Sequence, residues 1–139
     1  MIRQTNMDDG PAIGKLLTQL GYQTSPEIIE SMLDDNRQTT MVFDSEDGLL
    51  GLIALIIFPY FPTGEQICRI TALVTEKDKR GKGIGSTLIE VARNHAKEHG
   101  CQLLEVTTSL SRYQAQEFYA KQGFEKRSLR YTLEVLQQQ

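Results

Sequence analysis

Cysteine and histidine are scarce in this chain of 139 residues, which holds two of each: Cys68, Cys101, His95 and His99. The cysteines are not spaced as CxxC, and two histidines without an evident third ligand argue against a structural zinc site or a disulfide framework. Two free thiols fit a reducing compartment, so a cytoplasmic location is expected. Neither cysteine has an activating histidine or helix start beside it in the sequence, so both read as buried, inert thiols. His95 and His99 read as ordinary helix residues, and no metal is expected.

Long apolar runs are also lacking. The stretch from Gly48 to Phe61 is apolar but too short to span a bilayer, and its β-branched content suits a buried strand. The opening MIRQTNMDDG has no apolar core of the kind a secretion signal needs. Nor is there an excess of positive charge: Lys and Arg total 15, Asp and Glu 18, for a net charge of -3. That balance argues against a general nucleic-acid binder, and neither nucleic acid nor membrane is expected as a partner.

What remains is the composition of an ordinary globular protein, long enough to bury a core without staples, with no internal repeat or linker. A single domain over residues 1–139 is expected. Short strands are expected at Ile2–Thr5, Thr39–Asp44, Leu49–Phe58, Gln66–Thr75 and Gln102–Thr107. A last strand is expected where Leu129, Tyr131, Leu133 and Val135 alternate. Helices are expected after Asp8 or Asp9 as cap, after Ser25, from Ile84 to His99, and from Arg112 to Lys121. The third of these places Ile84, Leu88, Val91, Ala92 and His95 on one face. Glycines at 21, 100 and 123 mark helix ends, and Gln137–Gln139 are expected to fray. The order β-α-α-β-β-β-α-β-α-β implies one mixed, mostly antiparallel sheet flanked by helices, an α/β arrangement in the α+β sense.

Against the overall negative charge, Lys77, Lys79, Arg80 and Lys82 crowd the start of the third helix, among Gly81, Gly83 and Gly85. Cations are disfavoured at that end of a helix. Glycines that turn successive N–H groups inward, together with the open first turn of the helix, make an anion site, and a bound phosphate offsets the repulsion. On composition alone the plainer reading is a solvated turn. A Walker A loop does not fit, and the dinucleotide fingerprint fails because Ser86 stands where its third glycine belongs.

RGKGIG at Arg80–Gly85 resembles the Q/R-x-x-G-x-G/A signature of the GCN5-related N-acetyltransferases. The strand ITALVT before it and STLIEVARNHAKEHGC after it extend the likeness. A second block, AQEFYAKQGFEKRSLRYTLEV from Ala115 to Val135, resembles that family's A-x-x-F-Y-x-x-x-G-F segment. The resemblance covers nearly the whole chain. It implies acetyl-CoA as cosubstrate, a primary amine as acceptor, a splayed central strand pair and direct attack in a ternary complex. By that resemblance the amides of Arg80, Gly81, Lys82, Gly83, Ile84, Gly85 and Ser86 hold the pyrophosphate. Leu73 and Val74 hold the pantetheine arm through their backbone, Arg112 contacts the cofactor, and Tyr119 protonates the departing thiolate. Spacing alone puts Tyr119 with Ala115 and Phe118 on one helix face, as a core aromatic. Thr71 stands where many members carry a glutamate base. Glu105, Glu65 and a water chain are the alternatives for that role.

The resemblance implies a small-molecule amine as acceptor, with an aminoglycoside, a polyamine, an aminoalkylphosphonate or an amino acid as the candidates, and a homodimer. A protein or peptide acetyltransferase acting on Lys or an N-terminus is the first rival, and a non-catalytic acyl-CoA sensor the second. The aromatic loop FPYFP, Phe58–Pro62, reads as lining for the acceptor pocket or as a dimer contact.

Overall fold

The computed structural model of the protein describes residues 1–136. The expected fraying of Gln137–Gln139 lies outside them. The chain forms two compact units, one from Met1 to Thr107 and one beginning at Thr108.

The first unit is a five-stranded sheet in the order β1-β2-β3-β4-β5. Its strands are β1 (Ile2–Gln4), β2 (Thr39–Ser45), β3 (Gly48–Pro59), β4 (Gln66–Thr75) and β5 (Cys101–Val106). The first three pairings are antiparallel and the β4–β5 pairing is parallel. A parallel neighbour requires a crossover, and α3 (Ile84–Glu98) provides it.

Helices cover both faces of the sheet. Helix α1 (Gly10–Leu20) and helix α2 (Pro26–Leu33) lie on one face. There Ile13, Leu16 and Ile29 pack on Val42, Leu52 and Val74, one residue from each of β2, β3 and β4. Val42 pairs with Leu52 and Leu52 with Val74, so the three side chains form a row across the sheet. Helix α3 covers the other face. A Cβ on Gly51 would lie 2.9 Å from a Leu88 methyl and 3.0 Å from one of Ile84, so glycine is what lets the helix approach this closely.

The buried stripe of α3 is Ile84, Leu88, Ile89, Ala92 and Ala96. Val91 and His95, expected on that stripe, are half-buried at its margin, and Ile89 and Ala96 take their place. Helix α1 starts after Asp9, its N-cap residue, as expected, and a short turn precedes it. Asn6 caps a 3-10 turn, Met7–Asp9, and Asp9 accepts from the Asn6 N–H in return.

In the second unit, α4 (Tyr113–Lys121) is followed by Gly123 in the left-handed region, with φ at 100°. The chain from Glu125 onward forms no strand among the described residues, in contrast to the expectation for Leu129–Val135. Alternation alone does not make a strand; a strand needs a hydrogen-bonding neighbour, and no ladder among the described residues includes that segment. No helix among the described residues is long and apolar enough to cross a membrane.

Candidate active site

The β4–β5 ladder is short. It runs from Gln66 beside Cys101 to Ile70 beside Val106 and stops there, while β4 continues to Thr75 against β3. Over Thr71–Thr75 one edge of β4 therefore has no rung with β5. At the same point β4 carries a bulge: Ala54 pairs with Ala72 and Leu55 with Ile70, so Thr71 is the extra residue. The Thr71 hydroxyl donates to the Ala54 carbonyl at 3.3 Å. Leu73 and Val74 lie on this open edge, the Val74 side chain buried in the core and Leu73 half-buried.

The open edge leads straight into the glycine loop. Glu76 donates its N–H to Leu50 O at 2.8 Å, a 3-10 turn covers Lys77–Lys79, and Arg80 Nε donates to Thr75 O at 3.2 Å. Gly81 and Gly83 then adopt φ of 81° and 86°. Gly83 is the N-cap of α3, and no side chain caps this helix. A Cβ at Gly81 or Gly83 would meet nothing within 4 Å, so the loop stands in open space. Exposed left-handed glycines ahead of an uncapped helix are the backbone pattern of an anion cradle. Ile84 is buried, and Gly85 and Ser86 are half-buried behind it.

Gln19 at this site was not foreseen from the sequence. From the last turn of α1 its Oε1 accepts from the Lys77 N–H at 2.9 Å, and its Nε2 donates to the Glu76 carboxylate. The first helix is thereby stitched to the start of the loop across a gap of 57 residues or more. No local pattern marks a glutamine for such a role.

Glu105 stands beside Arg69 at the rung before the ladder ends. Arg69 Nε lies 2.6 Å and Nη2 2.5 Å from Glu105 Oε1. The guanidinium also sits 4.8 Å above the Phe58 ring centroid. Its side chain remains 42 % exposed and Glu105 34 %. Glu65, by contrast, lies in the turn between β3 and β4, where its carbonyl accepts from Tyr60 N–H at 2.8 Å. Six residues of strand put it roughly 20 Å from Thr71. The structure thus brings Glu105 to the end of the ladder and leaves Glu65 at the far end of β4. Of the FPYFP loop, Phe58 contributes its ring to Arg69, while Phe61 is wholly exposed.

Arg112 and Tyr119 belong to the second unit. Arg112 precedes α4 as its N-cap residue. Tyr119 makes edge-on contacts with Phe118 and Phe124, centroids 5.4 and 5.6 Å apart. Burial pushes its phenol up, and the charge of Arg112 opposes that shift. Burial also raises the Cys68 thiol to about 11 and pushes Cys101 up, so both are protonated at neutral pH and are poor nucleophiles. His95 and His99 stack with centroids 4.2 Å apart, and burial lowers His95. No group of three metal-ligating side chains occurs among the described residues.

Residues 11–124 match the model of the Acetyltransferase (GNAT) family. The chain belongs to that family. It is an acyltransferase of the GNAT fold, a class that uses acetyl-CoA as cosubstrate. An aminoalkylphosphonate N-acetyltransferase of Salmonella typhimurium is 28 % identical over 118 residues, 84 % of this chain and 76 % of that protein. An acetyltransferase of Trypanosoma brucei superposes with a TM-score of 0.83 at 24 % identity, covering 97 % of this chain and 99 % of its own. Glucosamine-6-phosphate N-acetyltransferase of Arabidopsis thaliana gives 0.82 at 21 % identity, covering 97 % of each chain. At those identities the two structures share the fold with this GNAT protein.

Proposed function

We propose that this GNAT protein transfers the acetyl group of acetyl-CoA to the primary amine of a small phosphonate- or phosphate-bearing molecule, in the cytoplasm. The observation that carries the proposal is the continuity of the open β4 edge, Thr71–Thr75, with the uncapped glycine start of α3. The residues present fit the cosubstrate: glycine amides and Lys82 for a diphosphate, strand backbone at Leu73 and Val74 for an amide-bearing arm. When bound, acetyl-CoA supplies an acyl group activated as a thioester.

The chain's own residues then have three tasks. The backbone N–H groups of the open edge are the donors available to a developing oxyanion. Tyr119 holds a proton for the leaving sulfur, since a phenol near 10 or above lies above a thiol near 8.5. Arg69 offers the acceptor's anionic group a guanidinium that Glu105 and Phe58 hold in place, which favours amines carrying phosphonate or phosphate. On this reading Glu105 positions Arg69 rather than taking the amine's proton. With Thr71 unable to act as a base, that proton leaves through water from an amine already partly neutral at mildly alkaline pH.

Release of the free thiol of CoA, followed with a panel of amines, tests the acceptor class. Aminoalkylphosphonates are expected to turn over at least tenfold faster, by kcat/KM, than the same amines without the phosphonate. Equal rates would refute the anionic acceptor, and turnover on peptides alone would refute a small-molecule acceptor altogether.

The cradle has its own test. Gly83→Val puts a β-branched residue at φ 86° and fills the open space before α3. Strain of about 1–3 kcal/mol falls on the bound geometry. Calorimetry should show acetyl-CoA binding at least about tenfold weaker, with the melting temperature shifted little because the loop is exposed.

A further inference from the structure

The stretch that joins β4 to the glycine loop is held from outside itself. Glu76 opens the 3-10 turn Lys77–Lys79, and its own side chain does not cap that turn. The first N–H groups of a helical turn have no partner within it. The acceptor for the Lys77 N–H comes instead from α1, where Gln19 Oε1 lies 2.9 Å away. The same amide donates through Nε2 to the Glu76 carboxylate. A residue 58 positions earlier in the chain thus supplies the cap.

A primary amide is the group this place needs. Its oxygen accepts from an N–H while its N–H₂ donates to a carboxylate, and asparagine is one methylene shorter. Glutamate would set two carboxylates face to face, and leucine would leave both partners unmet. Helix α1 makes a firm post for it: Leu16 is buried in the core, and Leu17 and Leu20 pack against that core. The other holds on the turn are weaker or local. Lys79 Nζ reaches Asp47 at 3.8 Å with Asp47 73 % exposed, and Arg80 Nε turns back to Thr75 O five residues away.

Charge gives the contact a second consequence. Glu76 and Asp78 are acids a few residues ahead of the loop read above as an anion cradle. A free carboxylate there repels an incoming diphosphate. Asp78 is exposed to water, whereas Glu76 is half-buried and engaged by a neutral donor on α1.

We propose that Gln19 is a positioning residue for the cosubstrate: its amide fixes the start of the glycine loop at Lys77 and keeps the Glu76 carboxylate bound to α1, so that the loop receives a diphosphate without rearranging. This role rests on the reading of Arg80–Ser86 as the diphosphate site. Gln19 acts through Glu76 and Lys77, and what it sets is the affinity for acetyl-CoA.

Calorimetry with acetyl-CoA on the full chain tests the role. Gln19→Leu should bind acetyl-CoA about tenfold more weakly. Its melting temperature should shift by less than about 5 °C, because Gln19 is half-buried and the core contacts of Leu16 and Leu20 remain. Gln19→Glu should bind at least as weakly as Gln19→Leu. Combining Gln19→Glu with Glu76→Gln reverses the pair: the carboxylate now stands on α1 and the amide on the loop. The Lys77 N–H still finds an acceptor, and the net charge is that of the unmodified protein. This double variant should recover to within about twofold of the unmodified affinity. Unchanged affinity in Gln19→Leu overturns the role, and so does a double variant that binds no tighter than Gln19→Glu. A larger drop in melting temperature marks Gln19 as support for the fold and overturns it as well. The diphosphate site is judged apart, by Gly83→Val. Weakened binding in Gly83→Val with none in Gln19→Leu leaves the site standing and removes Gln19 alone. Undiminished binding in both removes the site, and the role of Gln19 with it.

Discussion

Tyr119→Phe is expected to lower kcat about 100-fold while changing the KM for acetyl-CoA by no more than a few-fold. The size is that of removing one positioned general acid. Phenylalanine keeps the edge-on contacts with Phe118 and Phe124, so the fold of the second unit is retained and the loss reports on the hydroxyl. Burial holds the phenol above its ordinary value near 10, so Tyr119 is protonated throughout the neutral range. The unmodified enzyme should accordingly show no falling limb of kcat from this group below pH 10. The decisive readout is the leaving group. An acetyl thioester of a more acidic thiol needs less help from an acid, and the variant's defect should shrink toward unity with it. A variant with full activity on acetyl-CoA, or a defect indifferent to the thiol, removes Tyr119 from the chemistry.

Asp9→Asn is expected to destabilise the first unit by about 3 kcal/mol, a drop of roughly 10 °C in melting temperature for a chain of this size. Asp9 is 7 % exposed and receives both ends of the Arg3 guanidinium, at 2.9 Å and 2.8 Å, together with the Asn6 N–H at 2.8 Å. Arg3 Nε turns to Asp44 at 2.9 Å, so one arginine of β1 joins β2 to the start of α1. An asparagine there points an amide N–H₂ at a guanidinium that has no acceptor to give, and leaves a cation half-shielded from water with one of its two carboxylates. The Arg3 hydrogen bonds hold the Asp9 carboxyl below its ordinary value. A depressed value in the folded state means that the unfolded chain takes up the proton first. The stabilisation is therefore complete above the unfolded Asp value near 4 and is lost as the pH falls through the lower folded value. Asp35, held at about 2 by Arg37, has the same sign but is present in both proteins and cancels from the difference. The gap between parent and variant, measured by urea unfolding, should be constant from pH 7 to 5 and narrow below pH 4. A gap under 1 kcal/mol at neutral pH would show the pair to be ornamental.

How much of this was legible beforehand depends on the range of the interactions. The bounds of β4 and the glycine ends of the helices come from neighbouring residues, and local pattern carried them. The Arg69–Glu105 pair joins residues 36 apart through the register of a parallel ladder, which no spacing in the chain encodes. Gln19 is equally silent, since a glutamine on a helix is normally solvated. The start of α1 is local as well: Asp9 stands at its N-cap position, as expected, although its carboxylate serves Arg3 and the Asn6 amide rather than the helix. On α3, Ile89 and Ala96 displaced Val91 and His95 because the helix lies against both β3 and β5, a wider seat than a single stripe assumes. The last strand differs for another reason: its pattern is that of a strand, and among the described residues no ladder includes it.

The extra residue in β4 sets the reading frame of that strand. Counting across β3, Arg69 faces Ile56 and Val74 faces Leu52, so the two point to the same side although they differ in parity along their own chain. Thr71 makes the correction. Were one residue lost between Ile70 and Leu73, everything on one side of the gap would turn over, and Arg69 would swing beneath α3 with no carboxylate to meet it. Descendants of this protein are thus free to exchange the side chain at position 69, but they must keep the count.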